Sequence, residues 1–170
     1  KDLSEYKGKF TGAIQNADTS SDAYVNVGLA LFQQDEIDDA LITLDEGIGK
    51  FSNDYRLIYI KGLALQRAER VPEAINYFEK AIEINPNDVS MLSTLALAYD
   101  GQGNFKESAE IYEKALKIDP QNALVLNNYA YNLSERGVEL DKALEMSKIS
   151  IEKDPGNASY LDTIGWIYFK

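Results

Sequence analysis

Residues 55–88 read YRLIYIKGLALQRAERVPEAINYFEKAIEINPND, and the way this stretch is spaced and repeated decides the fold. Ile58, Gly62 and Leu65 stand at intervals of three and four, as do Ala74, Phe78 and Ala81, and Pro86 closes the segment. That is the period of a helix and not the two-residue alternation of a strand. Two amphipathic helices joined by a polar turn at Glu69 and Arg70 are therefore predicted, with Pro86 marking the end of the second.

Working outward, the same lines recur on both sides. Gly28, Gly62, Ala96, Ala130 and Gly165 form one; Ala40, Ala74, Ser108 and Ala143 a second; Leu44, Phe78, Tyr112 and Ser147 a third; Gly47, Ala81, Ala115 and Ser150 a fourth. Leu31, Leu65, Tyr99, Leu133 and Tyr168 run beside them. Each step is 34 residues until Ala130, after which one extra residue enters, placed by Arg136 and Gly137 in the loop 137–141. Small residues on two lines let paired helices approach to roughly 8–10 Å, while large ones such as Phe78 and Tyr112 fill the space between units. A unit of this kind cannot bury its own apolar face and stacks on its neighbours. Full units are predicted at 21–54, 55–88, 89–122 and 123–157, with half units at 3–17 and 158–170, in a single array over 1–170.

The pattern of a large residue, an apolar and a small one, then Ala, an aromatic or Leu, Ala and a closing proline resembles the tetratricopeptide repeat over nearly the whole chain. The resemblance implies an all-α, right-handed superhelix, an α-solenoid of antiparallel helix pairs. Departures are Lys61 on an apolar line, Ser52 in place of a closing proline, and Ser147 and Ser150 in place of an aromatic and an alanine. Weaker packing is expected around 147–150. The segment from Asn127 to Gly137, continuing to Tyr160–Trp166, is similar to the last repeats of bacterial members of that family, which implies a bacterial origin and leaves cytoplasm and cell envelope both open.

Composition removes several functions. With no histidine and no cysteine, the usual general base, thiol nucleophile and soft metal ligands are missing, and no catalytic residue, cofactor or metal site is predicted. The carboxylates, among them Glu36, Asp38, Asp39, Glu107, Glu110 and Glu113, read as solvated helix faces. A formal net charge of −11 opposes non-specific binding to nucleic acid or anionic lipid. No apolar run approaches the ~20 residues of a membrane span. Gly101 and Gly103 follow no strand and read as a turn, not a phosphate loop. Since the chain begins at Lys1 rather than Met, it is expected to be a fragment from which any targeting segment has been removed.

What remains is a surface. The resemblance implies that the first helices of successive units line a concave face that holds an extended or helical peptide. The inward positions are Val25, Asn26 and Leu29, then Tyr59, Ile60 and Leu63, then Ser93, Thr94 and Leu97, followed by Asn127, Asn128 and Tyr131, and by Asp162, Thr163 and Trp166. Asn26 and Asn128 stand where family members place an asparagine that grips a ligand's backbone, an amide being both donor and acceptor; Asn127 and Asn128 could equally bridge neighbouring helices. The lysine, arginine and asparagine clamp that one subclass uses for C-terminal carboxylates is missing. At 158–170 a first helix without its second leaves Ile164, Tyr168 and Phe169 partly covered, so either the natural chain continues or this end self-associates as a homo-oligomer. A non-enzymatic protein- or peptide-binding adaptor is the function expected, and an assembly scaffold joined through its ends is the rival.

Overall fold

A computed structural model describes residues 20–170; the half unit expected at 3–17 lies outside them. The described residues form nine helices and no strand: α1 (Asp22–Gln33), α2 (Ile37–Lys50), α3 (Tyr55–Arg67), α4 (Val71–Ile84), α5 (Val89–Gly101), α6 (Phe105–Ile118), α7 (Ala123–Arg136), α8 (Leu140–Lys153) and α9 (Ala158–Phe169). They fall into two compact units that divide after Pro86.

Starts and turns obey the same period as the core. Asp54, Asp88, Asn122 and Asn157 each cap a first helix, accepting the N–H of Arg56, Met91, Val125 and Ser159 at 2.9, 3.0, 3.2 and 3.1 Å. Each satisfies one of the amides that a helix start leaves without an internal partner. Within units the chain turns through a left-handed residue at Asp35, Glu69, Gly103 and Gly137, again 34 apart. The inserted residue is absorbed beside the last of these, where Glu139 is also left-handed, with φ 47°.

In residues 20–86, α1 pairs with α2 and α3 with α4. A Cβ on Gly28 would stand 2.6 Å from Leu44 Cδ2, and one on Gly62 would stand 2.5 Å from Phe78 Cε1, so glycine is what lets each pair close. A Cβ on Gly47 would stand 2.8 Å from Tyr24 within the first pair and 3.2 Å from Leu57 Cδ1 on α3, across the step to the next pair. Lys61 is drawn in on its apolar line, and its ammonium is bound by Asp45 on α2 and by the Tyr77 hydroxyl at 2.7 Å on α4. Burial works against its charge, but these two partners outweigh it and leave its pKa raised.

In residues 87–170, α7 packs against α5, α6, α8 and α9. Tyr129, two repeats beyond Lys61, donates to Glu113, two repeats beyond Asp45, at 3.4 Å and stacks on Tyr112 at 5.1 Å. One acidic position on a second helix thus ties to the next first helix in both units. The looseness expected around 147–150 is absent. Ser147 and Ser150 are fully buried; the Ser150 hydroxyl donates to the carbonyls of Ala123 at 3.0 Å and Met146 at 3.1 Å, whereas Ser147 Oγ has no hydrogen-bond partner among the described residues.

Two measurements test this packing. Gly62→Ala should lower unfolding free energy by roughly 1–3 kcal/mol through overpacking against Phe78. Gly165→Ala, at the equivalent position where a new Cβ meets nothing within 4 Å, should raise it by up to about 1 kcal/mol through helix propensity. Urea denaturation reads both, and equal signs would refute the assignment.

The second concerns acid. Burial would raise the Asp54 pKa, but the Arg56 side chain at 2.7 and 3.0 Å and the Ser21 hydroxyl outweigh it and hold the carboxyl at about 2. Unfolded aspartate titrates near ~3.9, so this depressed value adds stability that is complete above about pH 4. It is lost as pH falls through about 2. Asp54→Asn should flatten that acid limb when urea midpoints are compared from about pH 5 downward.

Candidate functional site

First-helix positions that share a register do not share an environment. Val25, Ser93 and Asn127 are all buried, and Tyr59 is half-buried with its ring 5.6 Å from that of Phe78. This line is therefore packed between elements, and Val25, expected on the binding surface, belongs to the core with Tyr24, Leu44 and Leu57. Tyr59 likewise has a packing role, and Leu29 packs against that core, with Leu63 half-buried. The reason is geometric: a β-branched or aromatic side chain one position from Tyr24 or Ile58 is carried round only about 100°, still within reach of the adjacent helix. In residues 20–86 only Asn26 of the expected set is openly exposed. The two cations near it are held, Arg56 by Asp54 and Asp22 at 2.7 and 2.8 Å, and Arg67 by Asp35 at 3.2 Å.

Residues 87–170 differ. There α5, α7 and α9 enclose a cleft of about 890 Å³. Seven of the expected residues line it: Leu97, Asn127, Asn128, Tyr131, Asp162, Thr163 and Trp166. Asp100, Phe105, Asn132, Glu135 and Ser159 line it too and were not singled out from the sequence. Their signal was present, because Asn128, Asn132 and Glu135 follow at helical intervals on one face, as do Ser159, Asp162, Thr163 and Trp166.

Hydrogen bonds brace the cleft. The Asp100 carboxylate accepts from Asn132 Nδ2 at 2.7 Å and from the Tyr112 hydroxyl at 3.0 Å. Burial raises the Asp100 pKa, and burial together with the Asp100 charge raises that of Tyr112. Asn132 Oδ1 also accepts from Arg136 at 3.4 Å. Asn128 Nδ2 donates to Ser93 Oγ at 3.5 Å, so this amide does bridge neighbouring first helices.

Two polar atoms are not absorbed by this network. Asn127 Oδ1 and Trp166 Nε1 are buried and have no hydrogen-bond partner among the described residues. One is an acceptor and the other a donor, and both belong to the cleft lining. Around them Leu97, Phe105 and Tyr131 leave 45%, 39% and 48% of their surface exposed, a concentration of apolar area in one concavity. No group of three or more acidic, histidine or cysteine side chains among the described residues could hold a metal ion. None of the described helices is long and apolar enough to cross a membrane.

Antiparallel helix pairs repeating every 34 residues, with an aromatic and amide cleft on their first helices, define a helical-repeat protein. Two family models described as tetratricopeptide repeat match residues 59–123 and 111–145, together about half of the chain. The chain belongs to the tetratricopeptide-repeat family. Among solved structures it is similar to YrrB, a TPR protein with an unusual peptide-binding site, at 24% identity over 94% of this chain and 82% of that one, with a TM-score of 0.77. It is also similar to MamA from Desulfovibrio magneticus RS-1, at 20% identity over 88% and 84%, TM-score 0.74, and to PilF of Pseudomonas aeruginosa, at 15% over 88% and 68%, TM-score 0.78. At these identities the likeness is one of fold. No curated protein matches the sequence significantly.

Because Asn127 Oδ1 is buried without a partner, Asn127→Leu should raise stability, by about 1 kcal/mol, where an asparagine with a structural role would lower it on replacement. Thermal and urea unfolding of the single variant decide the sign.

Proposed function

We propose that this chain is a non-enzymatic protein-interaction module and that its cleft in 87–170 holds an extended peptide segment of a partner protein. The observation that carries the reading is the pair of unsatisfied atoms, Asn127 Oδ1 and Trp166 Nε1, in a concavity walled by exposed Leu97, Phe105 and Tyr131. An extended backbone offers an N–H and a C=O at every residue, which is the complement that an unpaired acceptor and an unpaired donor require. The aromatic walls supply contact area at little cost in side-chain entropy. Family membership supports the same reading, as does the likeness in fold to YrrB, a protein with a peptide-binding site.

A specific observation favours self-association as a second reading. On α9, Leu161, Tyr168 and Phe169 are 49%, 67% and 77% exposed, and Gly165 faces open space.

One comparison separates the two. Partner capture by the chain and by its Leu97→Ala, Tyr131→Ala variant should differ, with binding lost from the variant and its melting temperature within a few degrees of the parent, because both side chains are about half exposed. Light scattering on the same samples should give a monomer mass at every concentration. Equal capture by both proteins, or a mass that rises with concentration, would transfer the function to the α9 surface.

A further inference from the structure

The cleft carries a charge as well as a shape. Asp100, Glu135 and Asp162 line it, and no lysine or arginine does so among the described residues. Asp100 is occupied by Asn132 and Tyr112. Glu135 and Asp162 are exposed, and neither makes an ion pair with any described residue. They stand on α7 and α9, the helices that also bring Asn127 and Trp166.

The aromatic lining shows what kind of group it accommodates. The Lys170 ammonium stands 4.7 Å above the centre of the Trp166 ring, and the Arg136 guanidinium 5.0 Å from that of Phe105. Two rings of the cleft thus already pair with cations of the chain itself, an attraction that comes from the negative face of the π system. Neither cation neutralises Glu135 or Asp162. The formal charge of −11 extends this bias outward and would accelerate encounter with a positive partner while repelling an acidic one.

We infer that the occupant of this cleft is a basic peptide, an extended segment in which lysine or arginine side chains alternate with apolar ones. In this arrangement the cationic side chains reach Glu135 and Asp162, the apolar ones lie on Leu97 and Tyr131, and the backbone pairs with Asn127 Oδ1 and Trp166 Nε1. The inference rests on the peptide-binding reading above and adds the chemistry of the ligand. It also disfavours acidic tails in this cleft, since their carboxylates would face Glu135 and Asp162, while Arg136 and Lys170 are taken up on the Phe105 and Trp166 rings.

The test uses three short fluorescein-labelled peptides in which leucine alternates with lysine, with serine or with glutamate, titrated by anisotropy at near-physiological salt. The lysine peptide should bind tightest. The Glu135→Gln, Asp162→Asn variant should weaken it by about fivefold to tenfold, the effect of two exposed ion pairs. A control with the same loss of charge elsewhere, Glu145→Gln and Glu152→Gln, should weaken it by less than about twofold, because screening confines exposed charges to their surroundings. Equal weakening in both variants would overturn the inference by assigning the preference to net charge. If the serine peptide binds as well as the lysine peptide and is lost from the Leu97→Ala, Tyr131→Ala variant, the peptide cleft stands and its preference for cations falls. If no peptide is lost from that aromatic variant, the cleft reading itself fails.

Discussion

The close approach of a small residue on one helix to a large one on its partner is the contact on which the rest depends. Gly28 under Leu44 and Gly62 under Phe78 leave no room for a single added carbon. Ala96 and Ala130 occupy the same line, fully buried, with Tyr112 likewise buried on the line that holds Leu44 and Phe78. Each pair is held at a fixed separation and crossing, and the large side chain is driven into the space that the next helix must cover. Because a helix pair so built exposes a second apolar face, stability comes from stacking one pair on another and not from any pair alone. The polar ties at Lys61 with Asp45 and Tyr129 with Glu113 then fix how one pair meets the next within each unit.

That constraint leaves first helices with a face that has no structural duty, and the two units spend it differently. In 20–86 the face is largely taken up, because Val25 joins the core, Tyr59 leans on Phe78, and Arg56 is tied to Asp22 and Asp54. In 87–170 Ser93 and Asn127 stand where 20–86 carries Val25 and Tyr59, and these shorter or more polar side chains leave open the space between α5, α7 and α9 that Leu97 and Tyr131 face. The cleft is the volume that such residues leave unfilled.

This also explains what the sequence disclosed. Helices, turns and the inserted residue were legible because they are set by spacing, and spacing is written in the chain: the cap line of Asp54, Asp88, Asn122 and Asn157 and the left-handed line of Asp35, Glu69, Gly103 and Gly137 keep the same step as the core. The repeat register also picked out Leu97, Asn128, Tyr131 and Trp166 in the cleft. It failed at Val25 and Tyr59, because register fixes the direction in which a side chain leaves its helix and not whether a neighbour is large enough to reach it. It passed over Asp100, Asn132 and Glu135, whose placement follows from continuing the same face along the helix by another turn.

An unpaired buried polar atom costs about 1–3 kcal/mol, a large share of the ~5–15 kcal/mol by which a domain is folded. Asn127 Oδ1 and Trp166 Nε1 are two such atoms in one cavity. The neighbouring amides show that the chain can satisfy this chemistry, since Asn128 reaches Ser93 and Asn132 reaches Asp100. Ser108 Oγ and Ser147 Oγ are also buried without a partner, but of the four such atoms only those of Asn127 and Trp166 belong to residues that line the cleft. A ligand backbone that pairs with both recovers what folding left unsatisfied, and that recovery depends on no particular side chain. On the proposed reading, discrimination among ligands falls to the groups around the rim, where Glu135 and Asp162 remain in water: weak as single contacts, yet able to bias which sign of charge the cleft admits.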